Sequence, residues 1–202
     1  MTLSLLDWRR RTAALYAAAR ASTDPEAGWQ TWRDGRDELF AAHPDSPLDE
    51  ASRKAFEGLP FAPYDPALRF EPALEPAPPA RLEIATAADG SVPLERIGAV
   101  TLAGVGRLDV WWVALYGGGV FVPLRDGSAG RTTYGGGRYL LDTVKGADLG
   151  GTGDRLVVDL NLAYHPSCAY DPAWTCPLAP PGNTLGVEVA AGEYVPPGHS
   201  AD

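Results

Sequence analysis

The chain is poor in the residues that most often carry chemistry. Its 202 residues include two cysteines, three histidines and one methionine. Two cysteines are too few for a disulfide scaffold, and in a reducing compartment they stay thiols. They form no CxxC pair, so the close-paired ligands of a structural zinc site are missing. No G-x-S-x-G elbow is present, which removes the usual hydrolase nucleophile turn. No Gly-Lys-Ser/Thr follows a glycine-rich loop, and no helix opens after one, so neither phosphate-binding fingerprint applies. No apolar run approaches membrane-spanning length. Basic charge is also scarce. The formal net charge is −9, divided as −2 over residues 1–60 and −7 over residues 61–202. A nucleic-acid surface needs a basic face to replace phosphate counterions, and an anionic membrane would repel this chain. At the N-terminus the leucines precede Arg9, Arg10 and Arg11, and Asp7 interrupts them. That is the reverse of a secretory signal, so a soluble, cytoplasmic protein is expected. No haem, flavin or pyridoxal phosphate motif stands out, and no cofactor is expected.

What is present is loop-forming material around a real core. Hydrophobic residues make up 45% of the chain, beside 23 glycines and 19 prolines, a combination that points to many turns between short strands. Leu5, Trp8, Thr12, Leu15, Tyr16 and Ala19 recur at helical spacing and predict a helix over 4–21. Asp24-Pro25 is an N-cap followed by proline at the first helical position. The helix it starts carries Trp29, Trp32, Arg36, Leu39 and Phe40 on one stripe and ends at His43-Pro44. The run from Ser46 to Asp49 predicts a third, short helix of capping-box type. The aromatics of the first two helices form a docking face. Arg36 lies on that face, so it must snorkel or find a carboxylate in Asp37 or in the β region.

From Leu59 the pattern changes to proline-punctuated connectors. Strand-like runs follow at 67–71, 81–86, 92–103, 107–116, 119–124, 138–143, 155–161 and 184–190. Asp89-Gly90, the pair Gly104 and Gly106, and the triplet 117–119 supply turns. Gaps this small leave no room for crossover helices, so neighbouring strands are expected to be antiparallel.

Three stretches hold the candidate chemistry. In the run 155–161, alternation puts Val157, Asp159 and Asn161 on one face. A carboxylate and an amide side by side at a strand end either line a cavity or brace a loop. In the loop 125–138, three consecutive glycines beside Arg125, Arg131 and Arg138 are suited to an anion. The alternative is a long hairpin in which Arg138 pairs with Asp126, Asp142 or Asp159. The stretch 159–183 holds both cysteines, Tyr164, Tyr170, His165 and five prolines. His165, Cys168, Cys176 and His199 are an incomplete zinc-like set, and no metal site is predicted. A catalytic thiol would need a cation or His165 beside it. The plainest reading is two buried thiols that pack the loop.

Joined in order, several of these segments form a pattern. It runs from Arg33, Arg36, Asp37 and Phe40 through the stretches 46–48 and 56–59. It continues with 121–126, 133–140, and 159–161 with Tyr164, His165, Cys168 and Tyr170. It closes with 175–178, Asn183 and 191–193. Over roughly residues 25–193 this resembles the bacterial and archaeal family catalogued as domain of unknown function 1684. Relative to that pattern, Arg36 stands where lysine is usual, and His165 where asparagine is usual. Leu124 and Leu160 stand where phenylalanine is common, and Ala179 lies in a proline-rich stretch. The resemblance implies no activity. It implies that an imidazole at 165 is not an obligatory metal ligand or base.

The expected architecture is α+β. An N-terminal helical hairpin (1–60) packs on a mainly antiparallel β-barrel or sandwich of about eight strands (61–193), followed by a frayed tail (194–202). The expected site is a polar pocket where loops 125–138 and 159–183 meet. Its candidate residues are Asp126, Tyr134, Arg138, Asp159, Asn161, Tyr164 and Tyr170, with a small anionic molecule as ligand. An enzyme, in particular a hydrolase using Asp159 or Cys168, is the second reading. A structural or partner-binding protein is the third.

Overall fold

A computed structural model describes residues 3–86 and 90–196. Helices α1 (Leu3–Ala21) and α2 (Pro25–Ala42) form the expected hairpin. The Asp24 side chain accepts from the Glu26 N–H and Pro25 fills the first turn, which satisfies one of the helix's open donors. On α2 the predicted stripe is the buried one: Trp29, Trp32, Arg36, Leu39 and Phe40. Helix α1 is less amphipathic than its spacing suggests, since Tyr16 is its only buried residue among those described. The short helix α3 (Glu50–Lys54) starts later than the capping-box reading places it. Asp49 is itself the N-cap and accepts from Ser52 N–H, while the Ser46 hydroxyl bonds back to the Phe40 carbonyl.

Among the described residues nine strands follow: β1 (Arg69–Phe70), β2 (Arg81–Thr86), β3 (Gly90–Leu102), β4 (Gly106–Val113), β5 (Val120–Leu124), β6 (Arg138–Asp142), β7 (Gly151–Thr152), β8 (Arg155–Leu156) and β9 (Val158–Asp159). Strands β2 to β6 form one antiparallel sheet in sequence order, and β1–β9 and β7–β8 are small antiparallel pairs. The sheet is open, so the layered alternative holds and the closed barrel does not. Asp89, half of the predicted first turn, lies outside the described residues. Between β4 and β5 only two residue pairs are in register. There Asn183 inserts: its amide donates to the carbonyls of Asp109 and Pro123, and its oxygen accepts from the Trp111 indole.

The sheet buries both faces. Val100, Leu102, Leu108 and Val110 pack with Tyr16, Trp29 and Trp32 from the helices and Val158, Leu160 and Leu162 from the far layer. The opposite face, with Leu94, Trp111, Phe121 and Tyr139, is covered by Cys168, Trp174 and Cys176. At the β6 edge of the sheet the Tyr139–Tyr164 bridge holds the 164–176 loop beside the helices, and this positions the site.

Two strand expectations change. The run 155–161 is not one strand. It pairs briefly with β7, then with β1, and then turns into a 3₁₀ helix because Asp159 caps it through the Asn161 N–H. The run 184–190 has one isolated bridge, Thr184 to Arg125. Its Val189 N–H goes to the Asp126 carboxylate instead of a neighbouring backbone. The tail is ordered further than expected, as Tyr194 and Val195 donate to the Pro60 and Thr132 carbonyls.

Candidate functional site

The sequence-predicted residues are distributed over three places rather than one. Arg138 opens β6 and is 1% exposed. Its guanidinium reaches Asp126 at 2.9 Å and the carbonyls of Val189, Ala191 and Glu193. Asp126 also accepts from Ser128 and from the Val189 N–H. Burial pushes the guanidinium below its ordinary pKa, and Asp126 opposes that shift. This pair ties the glycine-rich loop to 187–193. Gly137 lets the loop close: its φ is +93°, and a Cβ there would lie 2.6 Å from the Leu124 carbonyl.

Asp159 and Asn161 are a brace. The Asp159 carboxylate accepts from the Asn161 N–H and amide, and Asn161 bonds both backbone groups of Asp65. The Asn161 carbonyl accepts from the Trp29 indole. Asp159 faces a separate hollow of about 150 Å³ beside Arg20, Trp29 and Arg69. Burial raises its carboxyl pKa, with the Asn161 bonds opposing.

Of the predicted set, Tyr164 lines a cleft between the helices and the 164–176 loop, which measures about 190 Å³. The other wall of that cleft is helical, with Trp8, Arg9 and Thr12 from α1 and Arg36, Leu39 and Phe40 from α2. Tyr139, Lys145, His165, Trp174 and Cys176 complete it. Tyr134, Tyr170 and Cys168 sit just behind. The Tyr170 ring packs on Phe40 at 5.1 Å, and the Tyr134 hydroxyl lies 3.9 Å from the Cys168 sulfur.

Arg36 dominates the helical wall. It is 8% exposed, and its guanidinium carbon lies 5.0–5.2 Å from the ring centres of Trp32, Phe40 and Tyr164. Its Nη2 donates to Glu193 at 2.8 Å. Its Nε is buried without an acceptor. Glu193 is fully buried, also accepts from the His165 N–H, and keeps Oε1 without a partner. Burial pulls its carboxyl up to about 7, with Arg36 opposing. His165 accepts the Tyr134 N–H on Nε2, so the proton sits on Nδ1, 3.7 Å from Glu193. Burial, helped by Arg138 and Arg36, holds the imidazole pKa well below its ordinary value. With its acceptor nitrogen filled, this histidine is no general base. Among the described residues no group of three or more His, Cys, Asp or Glu side chains could hold a metal. His199 lies outside those residues.

Cleft residues not named as candidates from the sequence include Trp8, Arg9, Tyr139 and Lys145, as well as Trp174 and Cys176 within the expected loop 159–183, and Glu193 behind them is not named either. One signal pointed there: Arg36 on an apolar stripe demanded a partner. That partner is 157 residues away, and nothing in local spacing links the two.

The architecture defines an α+β protein in which a helical pair closes a cationic, aromatic cleft over one edge of an open antiparallel sheet. The solution NMR structure of the uncharacterized protein from gene locus rrnAC0354 of Haloarcula marismortui is similar. It is 32% identical, with 86% of this chain and 96% of that chain covered and a TM-score of 0.58. The family described as Protein of unknown function (DUF1684) matches residues 54–194, and this chain belongs to that family. No curated protein matches. Among the described residues no helix is long and apolar enough to cross a membrane.

Proposed function

We propose that this protein binds a small planar organic anion in the cleft between α1–α2 and the 164–176 loop. The observation that carries the reading is Arg36. A buried guanidinium costs several kcal/mol of desolvation, which is recovered only when its donors are used. Here one carboxylate takes one donor while the buried Nε has no protein acceptor. Stacked on three rings, the planar fork is pre-organised for a carboxylate. Arg9 and Lys145 on the same cleft add positive potential to a chain of net charge −9. Trp8, Phe40, Tyr139, Tyr164 and Trp174 supply flat apolar walls. A cavity of about 150 Å³ takes up a benzene ring, so 190 Å³ suits one ring with one small acidic group. The cytoplasmic setting expected from the sequence belongs to this proposal.

Thermal unfolding with benzoate, 4-hydroxybenzoate, pyruvate and inorganic phosphate tests it. An aromatic carboxylate at a hundred times its Kd is expected to raise Tm by about 5–10 °C, and Arg36→Met abolishes the shift. No shift with any of the four at millimolar concentration sinks the reading. A shift with phosphate alone, unchanged in Arg36→Met, also counts against it.

A further inference from the structure

We propose that Cys176 and Cys168 form a thiol–disulfide exchange pair at the wall of the cleft. Cys176 attacks a low-molecular-weight disulfide and Cys168 resolves the product. Both cysteines are free. Cys176 lines the cleft, while Cys168 is half-buried behind it, and both pack in one cluster with Trp174. The two cysteines pack in the same cluster and each is the first influence on the other's acidity, which places the two sulfurs near one another. The loop between them contains only a 3₁₀ turn and an Asp171 turn. A disulfide across it requires the two Cα atoms to come within about 7 Å.

The two thiols are not equivalent, and the difference sets the order of attack. Cys168 beside it and then the charge of Lys145 pull the Cys176 pKa below its ordinary value, against burial and Asp142. The same contact pushes the Cys168 pKa up, as does burial. Tyr134 and Tyr139 complete the polar surroundings of the pair, and Arg9 and Arg36 share its cleft. A thiolate is the nucleophile, and a thiol held by a neighbour is the resolving group.

In the first step the Cys176 thiolate attacks one sulfur of R–S–S–R. That S–S bond breaks, Cys176–S–S–R forms, and RS⁻ leaves to take a proton from solvent. In the second step Cys168 gives up its proton and attacks the Cys176 sulfur. The mixed disulfide breaks, the second RS⁻ leaves, and Cys168–Cys176 forms. The small disulfide is reduced to two thiols, and the protein dithiol is oxidised. This chemistry uses the sulfurs at the wall and not the Arg36 contact, so it is independent of the anion reading.

Reduced protein treated with bis(2-hydroxyethyl) disulfide under anaerobic conditions tests the proposal by intact mass. Wild type is expected to lose two hydrogens and keep no adduct. Cys168→Ser is expected to retain one adduct that maps to Cys176, and Cys176→Ser to react about tenfold more slowly or less. Circular dichroism of each variant verifies folding, and Cys168→Ala and Cys176→Ala give second versions of each. Folded Cys168 variants without an adduct overturn the proposal. So do Cys176 variants that react at the wild-type rate, or wild type that ends with two separate adducts. Failure of every carboxylate in the anion panel leaves these masses unchanged, so the two readings separate.

Discussion

Arg138 and Arg36 are both buried arginines paired with one carboxylate, yet their surroundings assign them opposite roles. Arg138 meets Asp126 and three backbone carbonyls. Every neighbour is an oxygen, and the charge is spent on holding loop 125–138 against 187–193. Arg36 meets one carboxylate and three aromatic faces, with its Nε left over and a cleft beside it. A saturated buried charge is a fastening. An unsaturated one beside a cavity is the ground for the proposed anion site. Residue type and burial alone do not separate the two, whereas a count of satisfied donors does.

The contrast is broken most forcefully at Arg138. Arg138→Met leaves Asp126 buried without its cation and is expected to cost about 3–5 kcal/mol, measured by urea unfolding. A loss comparable to that of an exposed arginine would remove the fastening from the argument. Next comes Glu193. Its carboxyl holds its proton more tightly in the folded chain, at about 7, than at its ordinary 4.5. The folded state therefore carries the extra proton between those values, and stability falls as pH rises from about 4.5 to about 7, by up to about 3 kcal/mol. Glu193→Gln flattens that slope. His165 acts in the opposite sense: its lowered pKa costs stability as pH falls below about 6.5, and His165→Asn removes that acid limb. Stability profiles of the two variants that match wild type between pH 4.5 and 7 would refute both assignments.

Arg36→Met is expected to cost about 2 kcal/mol, less than the Arg138 variant. Glu193 can take up a proton once its cation is gone, and Asp126 is held by more partners. A loss equal to that at Arg138 would erase the distinction. Smallest is Asp159→Ala, which removes a 3₁₀ cap and is expected to cost about 1 kcal/mol with no effect on ligand-induced Tm shifts. A lost shift in that variant would move the site back to the strand end.

How far the chain can be read by eye follows the range of each interaction. The Asp24-Pro25 cap, the α2 stripe and the hairpins at Gly104 and Gly106 are decided within a few residues, and they appear as expected. The strand over 155–161 fails because a local competitor won. Asp159 bonds the Asn161 N–H two residues on and bends the chain out of the sheet. The run 184–190 fails because its amides scatter: Thr184 and Leu185 donate to the Pro181 and Arg125 carbonyls, and Val189 donates to the Asp126 carboxylate.

By itself the sequence determined the α+β class, the helical pair, most of the antiparallel sheet and the segments that carry the polar residues. Periodicity, caps and turn chemistry are short-range physics. Only the tertiary structure decided that Asp126 saturates Arg138, that Asn161 braces Asp65, and that Glu193 meets Arg36 under Tyr164. These are contacts between residues far apart along the chain. Which buried charge is filled and which is left open depends on three-dimensional packing, and no spacing in one dimension encodes it.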